Sequence, residues 1–232
     1  MRHPPGRETP RMTSDQPDRP LQIAIPLFPR FTALDAIGPY EVLQRVPRFE
    51  ITFLGAERGV VRSDNGFLGI EVDATFDEVP APDVVVFPGG IGTRALLHDE
   101  RVLDWVRQAH ATSTFTTSVC TGSLVLAAAG LLDGLRATTH WGSLELLGRL
   151  GAEPTGDRVV EHLDRRLITA AGVSSGIDMA LRLVEVLVDA TAAKACQLMI
   201  EYDPQPPFDA GSVAKAGEDV MARTLEYSAR RD

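Results

Sequence analysis

An α/β domain, built on a mostly parallel sheet with helices covering both faces, is the fold this sequence predicts. Three observations carry the prediction. Short strand-like runs alternate with helical patterns along the chain, which is the signature of parallel strands joined by helical crossovers. The run Leu21-Gln-Ile-Ala-Ile-Pro-Leu-Phe28 is mostly apolar, as a strand buried on both faces should be. The run Thr114-Phe-Thr-Thr-Ser-Val119 is rich in β-branched residues suited to a buried strand. With 232 residues the chain is long enough for one large domain with a substantial core, and a hydrophobic content of 44% is a globular value.

Taken in order, Leu21 to Phe28 is the first strand and should be central, with Pro26 its one irregularity. Pro29 to Thr32 turns the chain, and Leu34 to Arg45 reads as a helix with Asp35 and a Gly-Pro step near its opening. Phe49 to Gly55 is a second strand. Val60 to Val72, with Asn65-Gly66 at its middle, predicts a hairpin. Asp83-Val-Val-Val-Phe is a short strand that empties into Pro88-Gly89-Gly90, where bare backbone can approach a ligand or a neighbouring loop. Helical patterns cover Thr93 to Leu97 and Glu100 to Ala111, the latter with Val102, Leu103, Val106 and Ala109 on one face. The strand Thr114 to Val119 leads into the small, apolar helix Gly122 to Ala129. Arg136 to His140 is strand-like, Trp141 to Leu150 helical, Val159-Val160 and Arg166 to Ala170 are further short strands, and Arg158 to Arg166 reads as a second hairpin. Gly172-Val-Ser-Ser-Gly176 opens a helix reaching Leu187, and Ala190 to Tyr202 forms another. The tail from Asp203, with Pro204, Pro206 and Pro207, cannot begin as a helix and is expected to wrap the surface.

Charge and composition exclude several classes. Twenty-three basic against thirty-two acidic residues give a net charge of −9, which disfavours nucleic acid as a partner. The first twenty residues are rich in Pro, Arg, Asp and Ser and read as a disordered leader without the apolar core of a signal peptide, with Met12 an alternative start. No later segment is apolar over the length of a membrane span. Two cysteines, Cys120 and Cys196, do not make a disulfide framework, so a reducing cytoplasm is the expected home. A single domain is expected from residue 21 to 232.

Cys120 stands at the junction of a strand and a helix, flanked by the small residues Ser118 and Gly122. The same arrangement in a nucleophile elbow lets the backbone turn sharply and lift a reactive side chain above the sheet. The unpaired N–H groups of the first helical turn favour a thiolate, so Cys120 is expected to be readily ionised. In a parallel α/β sheet ligands bind outside the strand carboxyl ends, and that rule selects Asp35, Gly89-Gly90, Cys120 and the 172–176 loop.

A thiol needs a partner that moves protons. Of five histidines, His3 lies in the leader, His98 and His110 look like surface residues of helices, and His162 lies in a polar turn. His140 has a route to the site, although a structural role is the simpler reading. Asp35 is the better candidate: a lone carboxyl between Leu34 and Ala36 that, facing Cys120, would favour its protonated form and titrate with the thiol as a unit. Its alternative role is a helix N-cap. The backbone N–H groups of Thr121 and Gly90 are candidates for stabilising developing negative charge. No C-x-x-C, H-x-x-x-H or mixed cluster suggests a metal, and no phosphate-binding glycine loop follows a strand. Neither a metal nor an organic cofactor is expected.

The runs Ser-Val-Cys-Thr-Gly-Ser-Leu-Val-Leu, Ala-Gly-Leu-Leu-Asp-Gly and Arg-Ala-Thr-Thr-His-Trp141 resemble the ThiJ/PfpI superfamily, relatives of the class I glutamine amidotransferases, over residues 21 to 212. Within it, Leu-Asp-Ala-Ile-Gly-Pro-Tyr-Glu-Val-Leu (34–43), Gly-Ile-Asp (176–178) and Glu-Tyr-Asp-Pro-Gln-Pro-Pro-Phe-Asp-Ala-Gly-Ser (201–212) are most similar to the isocyanide hydratases. The resemblance implies a flavodoxin-like three-layer sandwich, a homodimer, Cys120 as nucleophile, Asp35 as the acid and Thr121 beside them. It also places Val173, with Gly172, in the pocket where relatives carry an isoleucine. The elbow is shared with ligand domains of certain transcription regulators, whose added helix-turn-helix domain has no room in a chain ending at 232.

The activity so implied is hydration of an isocyanide to an N-substituted formamide. Cys120 would attack the terminal carbon to form a thioimidate, and Asp35 would serve as general acid and base. A ligand-sensing or redox-responsive protein that oxidises Cys120 is the alternative. Protease or glutaminase chemistry is disfavoured, because it generally wants a Cys–His pair and Thr121 follows Cys120.

Overall fold

The computed structural model describes residues 19–229. The leader expected to be disordered, and His3 within it, lie outside them up to residue 18. Arg19 already belongs to the folded chain, with its guanidinium pairing with Asp83 at 2.6 Å. By its contacts the chain divides into two compact units, one up to Ile200 and one from Glu201.

The first unit holds the sheet. Its strands are β1 (Leu21–Pro26), β2 (Phe49–Gly55), the hairpin pair β3 (Gly59–Arg62) and β4 (Gly69–Val72), β5 (Ala74–Thr75), β6 (Val84–Phe87) and β7 (Phe115–Val119). Then come β8 (Arg136–Ala137), β9 (Glu153–Pro154), β10 (Val159–His162) and β11 (Leu167–Ala170). Seven form the central sheet in the order β10-β11-β7-β6-β1-β2-β5. All its pairings are parallel except β10 with β11, which is the second hairpin expected from sequence. Every residue of β6, β7 and β11 is buried, which explains why these short runs carry no polar alternation. The β3–β4 hairpin forms a separate two-stranded sheet, turning at Asn65-Gly66 as its sequence requires, with Gly66 at φ +75°.

The helices are α1 (Ala33–Leu43), α2 (Thr93–Leu96), α3 (Glu100–Thr112), α4 (Gly122–Ala128), α5 (Leu144–Arg149), α6 (Ser175–Leu187) and α7 (Ala190–Met199). They form two groups: α6 packs on α1 and α7, while α4 packs on α2, α3 and α5. The result is the α/β, flavodoxin-like sandwich expected, with a mostly parallel sheet, helices on both faces and small hairpin additions.

The differences from expectation are local. The 141–150 helix opens as a 3-10 turn over Trp141–Ser143, and α7 ends at Met199 rather than at Tyr202. The strand-like run expected over Arg136 to His140 is paired only at Arg136–Ala137, where β8 meets β9, and neither β9 nor the edge strand β5 has a counterpart in the expected elements, because two residues carry no periodicity. His110 is not a surface histidine: it is half-buried, its Nδ1 stands 3.0 Å from Thr116 Oγ1, and burial, followed by Arg166, holds its pKa below the usual value. His162 closes β10 with Nε2 at 2.7 Å from the Arg136 carbonyl. In the second unit the proline-rich stretch is non-helical as expected, and an unanticipated helix, α8 (Glu218–Ala229), follows.

Candidate functional site

The site gathers at the carboxyl ends of β1, β6, β7 and β11, where the chain leaves each strand through a tight turn. Cys120 follows β7 at φ +56°, a left-handed conformation that an L side chain adopts only when its surroundings impose it. Those surroundings are visible. The Cys120 N–H donates to the carbonyls of Ala170 (3.0 Å) and Ala171 (2.9 Å), and its own carbonyl accepts Thr139 Oγ1 (2.9 Å) and Ser123 Oγ (3.1 Å). At Gly122 a β-carbon would stand 2.2 Å from the Phe87 carbonyl, so only glycine lets the elbow close against β6. The elbow inferred from small flanking residues is therefore present.

Asp35 occupies the first turn of α1 and is fully buried. It is not an N-cap: Thr32 holds that position, and no side chain caps the helix. Asp35 Oδ2 instead accepts the Gly89 N–H at 3.0 Å. The other oxygen, Oδ1, is buried without a partner of ordinary hydrogen-bond geometry, and the Cys120 thiol lies close enough for the two groups to shift each other's protonation. Burial pushes the Asp35 carboxyl up to about 7, against the stabilising contacts of the Cys120 thiol and the Gly89 N–H, while the charge of Asp64 adds to the rise. The neutral, proton-carrying Asp35 expected from sequence is thus supported by desolvation.

Cys120 itself corrects an expectation. It is only 4% exposed, and burial first, then the charge of Asp35, push its thiol well above the ordinary value. Two N–H groups, from Thr121 and Val173, oppose that rise. They oppose burial and the Asp35 carboxyl without outweighing them, and both of those work against the free thiolate predicted from the helix terminus.

Gly90 is corrected as well. Its N–H is already engaged by Thr121 Oγ1 at 2.8 Å, and the Thr121 hydroxyl returns a bond to the Gly90 carbonyl at 3.0 Å. This pair of bonds locks the elbow to the Pro-Gly-Gly turn and leaves the Gly90 N–H committed. The backbone N–H groups that hold the thiol's pKa down belong to Thr121 and to Val173, the latter expected to contribute its side chain to a pocket. Val173 sits at φ +42°, a strained value for a β-branched residue. Gly172 beside it admits the His140 ring, for a β-carbon there would stand 2.8 Å from His140 Cδ2. His140 accepts the Gly142 N–H through Nδ1 at 3.2 Å, and burial followed by Arg94 lowers its pKa. It is not among the groups acting on Cys120 or Asp35.

The doublet Gly89-Gly90 was expected to let bare backbone approach a ligand or a neighbouring loop, and at Gly89 it is a neighbouring loop of the protein that comes close. A β-carbon would meet Thr121 N at 2.4 Å, Thr121 Oγ1 at 2.7 Å and Asp35 Oδ2 at 2.8 Å. Gly89→Ala is expected to cost about 1–3 kcal/mol by forcing these groups apart, read as a lowered urea midpoint. An unchanged midpoint would contradict that close approach. Among the described residues no cluster of three or more His, Cys, Asp or Glu could hold a metal ion, and no helix is long and apolar enough to cross a membrane.

Fold and elbow together define a class: flavodoxin-like α/β proteins that carry a cysteine on a strained strand-to-helix turn. The chain belongs to the DJ-1/PfpI family, whose model matches residues 21–186. An isonitrile hydratase from Pseudomonas putida is 47% identical over 209 residues, covering 90% of each chain. The crystal structure of a ThiJ/PfpI family protein from Pseudomonas syringae superposes with a TM-score of 0.85 at 38% identity, over 96% of this chain and 93% of that one. The transcriptional regulator CdhR of Pseudomonas aeruginosa is 28% identical over 164 residues, 68% of this chain and 48% of the regulator.

Proposed function

We propose that this protein hydrates isocyanides, R–N≡C, to N-substituted formamides, with Cys120 as nucleophile and Asp35 as its acid–base partner. The observation that carries the reading is the buried Cys120–Asp35 pair, in a chain 47% identical to an isonitrile hydratase. A cysteine this enclosed suits a slender electrophile, and the terminal carbon of an isocyanide is unhindered.

The pair works as one titrating unit. Below about pH 7 it holds two protons, one on each group; above that it holds one, on the sulfur, with the carboxylate beside it. In the second state Asp35 takes the thiol proton as the sulfur bonds to the isocyanide carbon. It then delivers that proton to the same carbon, giving the thioimidate R–N=CH–S–Cys120. The N–H groups of Thr121 and Val173 steady the sulfur while it carries charge. The Asp35 carboxylate next takes a proton from water as the oxygen adds to the thioimidate carbon, and that proton passes to nitrogen. Collapse of the tetrahedral adduct breaks the C–S bond, the sulfur leaves with the hydroxyl proton, and R–NH–CHO is released. The sum is one isocyanide plus one water.

The test is direct: purified protein mixed with a simple alkyl isocyanide should generate the corresponding formamide, followed by proton NMR. Absence of product above the uncatalysed rate would remove the proposal. The redox-sensing alternative needs an accessible, easily ionised thiol, and the burial of Cys120 weighs against it. We also read the protein as a homodimer of a reducing compartment. Both cysteines are free and buried, which is consistent with the latter, and light scattering on the purified chain checks the former.

A further inference from the structure

Away from the cysteine, at the amino ends of the strands, the first unit keeps an open cavity. Leu21 and Phe49, the first residues of the parallel strands β1 and β2, line it together with Leu187 at the end of α6. Its other side is α7, which packs on α6 and α1 and presents Ala192, Ala195 and Cys196 at helical spacing. Alanines stand where leucines would fill the gap. The cavity measures about 530 Å³, within the range of roughly 300–1,000 Å³ usual for small-molecule sites.

The charges that line it are of one sign. Arg45 and Arg48, which follow α1, are its charged lining residues, in a chain whose net charge is −9. Arg45 Nη2 donates to Glu41 at 2.9 Å, while Arg45 Nε is buried without a hydrogen-bond partner. The Arg45 charge also works against the rise that burial imposes on the Cys196 thiol, so the guanidinium stands close to the inner face of α7. Arg48 is exposed at the mouth.

We propose that this cavity binds an anionic amphiphile, a medium-length alkyl carboxylate whose head group accepts the Arg45 Nε–H and whose chain lies between α7 and the strand starts. Three properties select that chemistry. Apolar walls draw an alkyl chain out of water. A buried donor left unpaired is unfavourable, and an ionised acceptor satisfies it best. Guanidinium groups with no carboxylate among the lining residues attract an anion and repel a cation. The cavity shares no residue with the Cys120–Asp35 site, which stands at the carboxyl ends of the strands, so the inference does not depend on the hydration chemistry.

Equilibrium dialysis of the full chain against decanoate, below its micelle concentration, tests the proposal. Saturable uptake of about one decanoate per chain is expected, at least about tenfold tighter than that of decyltrimethylammonium, which has the same tail and the opposite charge. Arg45→Met keeps an apolar stem and removes the donor, so it should weaken decanoate about tenfold and leave decanol unaffected. Ala195→Trp fills the cavity and should abolish uptake of both. Should circular dichroism show that variant misfolded, Ala192→Phe repeats the measurement. The proposal is overturned by a lack of saturable uptake, by equal affinity for the two charged head groups, by wild-type uptake in Arg45→Met, or by uptake that survives the filled cavity. A second copy of the chain seated on this face would overturn it too. Light scattering would then show a wild-type dimer that takes up no decanoate and an Ala195→Trp monomer.

Discussion

Cys120→Ala is expected to lower isocyanide hydration by at least about a thousandfold while leaving the fold intact. The loss is large because the sulfur supplies the only covalent step proposed, and nothing else at the site can form a thioimidate. Folding should survive because the bonds that hold the elbow are made by the Cys120 backbone, through Ala170, Ala171, Thr139 and Ser123, and alanine keeps all of them. Alanine at φ +56° bears the same strain as cysteine, so the variant adds none. Formamide production by NMR and the circular dichroism spectrum, measured on the same preparation, separate the two effects. Residual activity within tenfold of wild type would mean that Cys120 is not the nucleophile.

Asp35→Asn is expected to produce two changes of opposite sign. Activity should fall by about a hundred- to ten-thousandfold, since an amide of the same shape can accept the Gly89 N–H but cannot exchange protons with sulfur or carbon. The acid limb near pH 7 should vanish with it. Stability should rise at neutral pH. Burial raises the Asp35 pKa from its ordinary value of 3.8 to about 7 in the folded chain, so between those values the folded protein holds a proton that the unfolded chain has released. The corresponding stability is present in full below about pH 4 and is lost as pH rises through 7. The ceiling is about 4 kcal/mol, from which the unmet hydrogens of the amide subtract a part. Urea unfolding at pH 5 and pH 8 should show wild type losing ground to the variant at the higher pH. Identical pH dependence in the two proteins would refute the placement of a costly, buried acid at this position. A catalytic carboxyl that destabilises its own fold is the usual trade at such sites.

Much of this arrangement can be read in the residues. The elbow at Cys120 is legible because the need for a sharp turn selects small neighbours, and Gly122 could be nothing larger with the Phe87 carbonyl against it. Asp35 is legible because a lone carboxyl inside an apolar run is costly to bury and therefore stands out. The first hairpin announces itself through Asn65-Gly66, which the turn requires. The edge strand β5 and the strand β9 are not legible, since two residues hold no period, and α8 is hidden behind prolines that describe only the stretch before it.

What the sequence by itself determined was the order of strands and helices, the sharp turn that carries Cys120, and the lone carboxyl of Asp35 within an apolar run. Those follow from local rules: periodicity, turn chemistry and the rarity of polar residues in apolar runs. The protonation of the pair was decided by the tertiary structure alone. A helix terminus argues for a thiolate whenever water can reach it, but Cys120 is closed off and faces a carboxyl, and desolvation is a property of everything packed around a group. The same holds for the donors. That the Gly90 N–H is committed to Thr121, and that the Val173 backbone comes to bear on Cys120, depend on which loops meet, and loops meet only in the folded chain.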